Sequence, residues 1–393
     1  MSADFAIRTA TSQATVERCL AELRRGGAIA LIDGDEALLA IAAETLDEAQ
    51  LAWLGSAAGE SEIRVLLTAE RATRLGLAPA AGSAICVCRL TANLSAEALK
   101  TAVIHHLADP TGDGGLSSAA RDKTGVVGGG VVSGIALDGE SNGLPQNLQQ
   151  GAIDLAKTAR LLPAMVVAKL PPQAVAYWVA APFTLARGDL AAHRRQLASE
   201  LRRVGSARVP LEAAEATEII AFRPADGGKE HLAIVIGSID TEQPVLIRLH
   251  SECFTGDLLG SLRCDCGDQL RGAIEQIAKS GSGVLLYLAQ EGRGIGLINK
   301  LRAYRLQDAG ADTLDANLQL GFGADERVYQ PAAEMLRQLG IQAVRLLTNN
   351  PEKVRGLEHC GITVAERVPH AFPSNDHNAR YLSTKAARFG HMF

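Results

Sequence analysis

A chain of 393 residues, 47% hydrophobic and 21% charged, has an ordinary globular composition and length for two or three domains. Its net charge of −5 argues against a general nucleic-acid binder, which needs a basic face, and no uncharged apolar run of about 18 residues exists to span a membrane. Seven cysteines are too few for a disulfide framework at this length, and the N-terminus lacks a basic start followed by an apolar block, so a cytoplasmic location is expected.

In chain order, Thr15 to Arg25 reads as an amphipathic helix closed by Gly26-Gly27, where glycine accepts the left-handed cap. Ala28 to Asp33, Ile63 to Thr68 and Ala84 to Leu90 read as strands. Cys86 and Cys88 on the third would share a buried face. Residues 109–115 and 125–130 are loop-rich. Gly151 to Leu161 is helical, and Met165 to Leu170 is a strand halted by Pro171-Pro172. Arg187 to Arg203 reads as a charged helix ending near Gly205, which places a domain boundary between residues 205 and 206. Beyond it, Leu232 to Ser238, Val245 to His250, Val284 to Ala289 and Ala343 to Leu347 are apolar strands. Between them fall helices at Ile295 to Ala309, from Pro331 to Gly340, and from Pro351 to Gly361. This alternation predicts an α/β fold, with mixed sheets packed by helices in two domains and some parallel pairing.

The segment HSECFTGDLLGSLRCDCGDQL, His250 to Leu270, places Cys253, Cys264 and Cys266 within fourteen residues. Three readings fit that spacing: an open catalytic zinc site with three protein ligands, a closed structural zinc with His250 as fourth ligand, or buried inert thiols. Thr348 to Lys353 (TNNPEK) ends a strand and starts a helix capped by Asn350. Its free N–H groups and Lys353 suit an anion, although a well-capped surface helix is the commoner use. Glu291 to Leu297 (EGRGIGL) spaces its glycines wrongly for a dinucleotide fingerprint; a loop with Arg293 facing phosphate fits better. Asp325 and Arg327 in ADER are an ordinary solvated pair unless bound phosphate lies beside them.

Taken together, RLHSECFTGDLLGSLRCDCGDQL, YLAQEGRGIGLINKLRAYRLQD, ANLQLGFGADER and RLLTNNPEKV resemble, in that order, the GTP cyclohydrolase II family from about Gly205 onward. That family begins riboflavin synthesis, using zinc and magnesium to convert GTP into formate, pyrophosphate and a diaminopyrimidinone ribosylamine phosphate. The resemblance implies that Cys253, Cys264 and Cys266 bind zinc, whose acidified water attacks C8 of the guanine ring. It implies GTP contacts from Arg248, Leu249, His250, Ser251, Glu252, Gln269, Glu291, Gly292, Arg293, Thr313, Thr348 and Lys353. Asp325 matches the family's general base, Arg327 its proposed nucleophile on the α-phosphorus, and Tyr304 a tyrosine near the reacting ring. Mg2+ would accompany the triphosphate, and the family's habit implies a homodimer. A guanidinium is a poor nucleophile, so charge stabilisation by Arg327 explains the same requirement. Two competing readings are a cyclohydrolase for another purine nucleotide and a zinc-stabilised nucleotide sensor without turnover; His370, His377 and His391 near the C-terminus read as surface residues.

The first half resembles, more weakly, 3,4-dihydroxy-2-butanone 4-phosphate synthase through Ala28 to Glu44 and the helix QGAIDLAKTARLLPAMVV. That family has an acidic D-D-E-D-R-E-N-E-G-D loop, where this chain runs Asp33-Gly34-Asp35-Glu36 into Ala37-Leu38-Leu39. Its G-H-T-E-A becomes Asn147, Leu148, Gln149, Gln150 and Gly151, so leucine replaces the metal-binding histidine. The resemblance therefore implies an inactive domain with a structural role.

Overall fold

The computed structural model describes residues 3–58, 62–79, 82–90, 94–104, 135–137, 143–179, 183–186, 188–193, 200–372 and 388. They form two units. The first comprises Met1–His193, Leu301–Ala311 and Asp315–Ala324, and the second comprises Arg194–Lys300, Asp312–Leu314 and Asp325–Phe393. The loop-rich stretches 109–115 and 125–130, and His377 and His391, lie outside the described residues.

In the first unit α1 (Ala3–Arg24) is closed by Gly26 at φ +92°, a left-handed conformation that suits glycine. There follow β1 (Ile29–Asp33), β2 (Glu36–Ala42), α2 (Glu48–Ala58), β3 (Arg64–Thr68), α3 (Ala69–Arg74), β4 (Ile85–Leu90) and α4 (Ala96–Ile104). The remainder is β5 (Ile135–Leu137), α5 (Gln146–Thr158), β6 (Ala164–Lys169), α6 (Pro172–Val179) and β7 (Thr184–Ala186). The strands make one sheet in the order β5-β4-β3-β6-β2-β1-β7, antiparallel except for the β1–β7 pair. Val16, Leu20 and Leu23 of α1 and Leu148, Ile153 and Leu155 of α5 pack on this sheet as its core. Cys86 and Cys88 are buried strand residues, and burial pushes the Cys86 thiol up to about 11. The two later stretches of this unit are tied to it by polar contacts. Arg302 forks onto Glu44 at 2.9 and 3.1 Å, and Arg71 donates to the Gln319 carbonyl at 2.8 Å.

The second unit contains β8 (Arg202–Arg208), β9 (Thr217–Arg223), β10 (His231–Ile236), β11 (Val245–Ser251), α7 (Cys266–Lys279) and β12 (Gly283–Leu288). It continues with α8 (Leu297–Asp308), α9 (Thr313–Leu320), α10 (Gln330–Gln338), β13 (Ala343–Leu347), α11 (Pro351–His359) and β14 (Thr363–Val368). Helices α8 and α9 contribute residues to both units. The sheet order is β14-β13-β11-β12-β10-β9-β8. The four strands from β14 to β12 run parallel, and the rest are antiparallel. Parallel strands bury both faces, which is why β11 begins with the apolar run VLI and has six of its seven residues buried, Arg248 and His250 among them.

Two expectations fail. Arg202 and Arg203 are not the end of a charged helix but the start of β8, all seven of whose residues are exposed. As an edge strand it needs only one paired side, and Arg203 meets Glu218 of β9 at 3.2 Å. The strand also spans residues 205 and 206. His370, read from the sequence as a surface residue, is 3% exposed. It is buried because its backbone N–H donates to Asn349 Oδ1 at 2.9 Å while Asn349 donates back to its carbonyl at 2.7 Å.

Candidate active site

Three parallel strands stop at the same edge of the second sheet. β11 runs out into Glu252-Cys253, β12 into Gln290-Glu291-Gly292-Arg293, and β13 into Thr348-Asn349-Asn350. The carboxyl edge of parallel strands is where α/β folds build ligand sites, because the loops there are free of the sheet's own pairing. Most of the residues singled out from the sequence lie on these three loops or beside them.

The sulfurs of Cys253, Cys264 and Cys266 all lie within 4.8 Å of one another, with Cys253 and Cys264 3.7 Å apart. A tetrahedral ion with metal–sulfur bonds of about 2.3 Å spaces its sulfurs by roughly 3.8 Å, so the set fits such an ion. One π-helical turn, Phe254–Leu258, and the start of α7 bring the three together. Gly256 is needed there: a Cβ on it would stand 2.8 Å from Cys264 Sγ and 3.0 Å from Cys253 Sγ. Hydrogen bonds from the other two thiols, together with Lys300, pull the Cys253 thiol far below its usual range. Cys264 is pushed up to about 11 and Cys266 is pushed well above its usual range, each chiefly by Cys253.

His250 does not join the sulfurs as a fourth ligand. Its Nε2 lies 3.1 Å from both oxygens of Asp257, and its ring stacks on Tyr287 with centroids 5.5 Å apart. Asp257 also accepts from the Tyr287 hydroxyl and from the Cys253 backbone N–H, each at 2.9 Å. The carboxylate thereby fixes the start of the cysteine loop against β12. Neither Asp257 nor Tyr287 was singled out as a site residue from the sequence. The signal available was an acidic residue four positions after Cys253, which says nothing of a partner thirty residues away.

The β12 loop is held with equal care. Glu291 Oε2 accepts from the Phe254 N–H at 2.7 Å, and its Oε1 accepts from Lys300 Nζ at 2.8 Å. Lys300 also points its ammonium at Cys253 Sγ, 3.0 Å away. Gly292 and Arg293 both take left-handed φ, +63° and +61°, an uncommon conformation for an arginine that marks a backbone held by its surroundings. The Arg293 carbonyl accepts from the Glu326 N–H at 3.1 Å, and a Cβ on Gly294 would strike the Glu326 carbonyl at 2.8 Å. These contacts bring the Asp325–Arg327 loop alongside. Arg327 donates its backbone N–H to Asp325 at 3.0 Å and its Nε at 2.8 Å, with the terminal nitrogen also on the carboxylate. The pair is partly buried: the arginine side chain is 10% exposed and the aspartate 24%. Burial would raise the Asp325 carboxyl, but Arg327, with Arg293 behind it, holds it below its usual range.

The remaining basic residues line the β11 and β13 ends. Arg248 donates to the Leu347 carbonyl at 2.8 Å and to Gln269 Oε1, and Gln269 in turn donates to Asp265. Burial pulls the Arg248 guanidinium down to about 10. Leu249 packs into the core while its carbonyl accepts from Lys353 Nζ at 2.6 Å. Asn350 caps α11 by accepting from the Glu352 N–H at 3.0 Å, and Pro351 opens the helix, as its sequence predicts. His370 presents Nε2 to the Gln269 carbonyl at 2.9 Å, and burial first, then Arg248, pushes it down to about 4, so it is neutral at pH 7. Ser251 closes β11. Glu252 meets Lys229 at 3.4 Å. Thr313 begins α9 in this unit, whereas Tyr304, half-buried on α8, belongs to the first unit.

A family model described as GTP cyclohydrolase II matches residues 202–369. The GTP cyclohydrolase-2 of Azospirillum brasilense is 51% identical over 389 residues, 96% of this chain and 94% of its own. That of Pseudomonas paraeruginosa is 58% identical over 189 residues, 48% of this chain and 92% of its own. Among solved structures, a two-domain 3,4-dihydroxy-2-butanone 4-phosphate synthase from A. baumannii aligns at TM-score 0.32 and 18% identity, covering 91% of this chain and 99% of that one.

Proposed function

Because this chain belongs to the GTP cyclohydrolase II family, we propose that its second unit hydrolyses GTP to formate, pyrophosphate and 2,5-diamino-6-(5-phosphoribosylamino)pyrimidin-4(3H)-one. The observation that carries this reading is the meeting of three mutually close thiols with Asp325 and Arg327 at one sheet edge. A purely structural zinc site is closed by four protein ligands, whereas this group of sulfurs has three. The donor set suits zinc, a thiophilic ion, and zinc held there supplies Lewis acidity for opening the guanine imidazole ring. Mg2+ enters with the triphosphate.

The chain's own groups do the rest. Asp325 is ionised at neutral pH, since its carboxyl is held low, and it accepts a proton during ring opening. Arg327, fixed by its fork on Asp325, stabilises charge at the α-phosphorus as pyrophosphate leaves. Arg248, Arg293, Lys353 and the capped N-terminus of α11 offset the charge of the phosphates. His250, Glu252, Gln269, Glu291, Thr313 and Thr348 orient the nucleotide. Purified protein is expected to release formate from GTP, with less from ATP and ITP. Equal turnover of another purine nucleotide would redirect the assignment, and no formate from any of the three would leave a nucleotide sensor.

For the first unit we propose a structural role without synthase activity. Leu148, which stands where the synthase family has its metal-binding histidine, is 2% exposed in the apolar core between α5 and the sheet. Residues 301–311 and 315–324, within the stretch matched by the cyclohydrolase family, pack with this unit through Arg302 on Glu44 and Gln319 on Arg71. Incubation with ribulose 5-phosphate and Mg2+ is expected to give no butanone phosphate, and clear product would overturn the assignment.

A further inference from the structure

Lys300 lies within hydrogen-bond reach of a sulfur in the three-cysteine set, its ammonium 3.0 Å from Cys253 Sγ. It sits in the first turn of α8 with its side chain 11% exposed, and its ammonium bridges Cys253 Sγ at 3.0 Å and Glu291 Oε1 at 2.8 Å. Burying a lysine is costly unless its charge is matched. Here a carboxylate and a sulfur match it, both with fixed orientations. Glu291 is itself anchored on the Phe254 N–H, next in sequence to Cys253, so lysine, carboxylate and cysteine loop close a short ring of contacts.

We propose that Lys300 is a positioning residue for the cyclohydrolase reaction, tuning the metal through Cys253 and locking the Glu291–Arg293 loop to it. The proposal rests on the reading of Cys253, Cys264 and Cys266 as metal ligands. Three thiolates around a divalent ion leave a net charge of −1, and strong sulfur donation blunts the ion's Lewis acidity. A hydrogen bond from an ammonium to one sulfur draws electron density away from the metal. A three-cysteine site that must activate water has a use for such a donor, which a structural site lacks. The same ammonium holds Glu291, so the loop that carries Arg293 is registered against the metal ligand and not merely against the sheet.

The test uses the full chain loaded with Co2+ in place of zinc, because thiolate-to-cobalt charge transfer reports on the sulfurs directly. In Lys300→Met the near-ultraviolet band is expected to keep the intensity of three thiolates and one cobalt per chain. It should move to longer wavelength, since a sulfur without its hydrogen bond gives up an electron more easily. In the zinc form kcat for GTP should fall about tenfold to a hundredfold while KM changes by less than about threefold. Lys300→Arg, which keeps the cationic donor, should restore part of both. Should Lys300→Met not fold, Lys300→Gln, with a weaker neutral donor, must show a smaller shift in the same direction. An unmoved band in a folded variant, or equal losses in kcat and 1/KM, overturns the role of Lys300. Absence of any thiolate band in the unsubstituted protein overturns the three-cysteine reading itself, and the proposal with it.

Discussion

Gly256→Ala is expected to strip the metal from the second unit and to lower GTP turnover by roughly a hundredfold or more. The added Cβ would lie 2.8 Å from Cys264 Sγ, 2.9 Å from Cys266 Cβ and 3.0 Å from Cys253 Sγ, all inside normal contact distance. Carbon–sulfur contacts of that length cannot stand, and the obstacles are the sulfurs themselves, on short side chains with little room to rotate. Relief requires the π-helical turn Phe254–Leu258 to move. That turn carries Asp257, whose carboxylate also holds the Cys253 N–H, His250 and Tyr287. One methyl group thus spreads the sulfurs and loosens the contact that places the first of them. Zinc content by elemental analysis should fall from one per chain towards zero, and added zinc should not restore activity at equimolar concentration. Gly205→Ala on the exposed edge strand, where a Cβ meets nothing within 4 Å, should leave metal content and turnover unchanged. A Gly256→Ala protein with full zinc and full activity would show that the thiols are not held as described.

How much of this was legible in the sequence depended on whether local pattern or distant contact decided the outcome. The strands β11, β12 and β13 stand within one residue of their predicted limits because a parallel strand buried on both faces is an apolar run bounded by turns. The helix after Glu291 starts at Leu297, two residues later than its pattern suggests. Arg293 is forced into left-handed φ by the close approach of Gly294 to Glu326, a contact between loops thirty-two positions apart. β14 was not foreseen, since TVAERV shows no buried face, and β8 was misread because its arginines look equally at home on a helix. The cysteine cluster announced itself by spacing. Lys300 and Asp257 did not, because a lysine or an aspartate acquires meaning only from what faces it. His370 was misjudged for the same reason: its burial comes from paired hydrogen bonds with Asn349 that no periodicity encodes.

Arg327→Lys separates two uses of the same side chain, and we expect it to retain measurable pyrophosphate release, lowered about a hundredfold to a thousandfold. The arginine grips Asp325 with Nε at 2.8 and 3.1 Å and with its terminal nitrogen, while its backbone N–H adds a further bond at 3.0 Å. Lysine keeps the positive charge but has no planar fork, so it holds Asp325 less well. If Arg327 acts by stabilising charge as pyrophosphate departs, a lysine retains part of that effect, and Arg327→Met should fall well below it. A lysine variant as inactive as the methionine one would instead favour a dedicated arginine nucleophile. The pH profile supplies a second readout. Burial alone would raise the Asp325 carboxyl, and Arg327 is what brings it down. Weakening the pair therefore lets that carboxyl rise, and a base is lost once pH drops below its pKa. The acid limb of kcat against pH should move to higher pH in Arg327→Lys and further still in Arg327→Met. An acid limb unmoved in both would mean that Asp325 is not the group whose ionisation limits turnover.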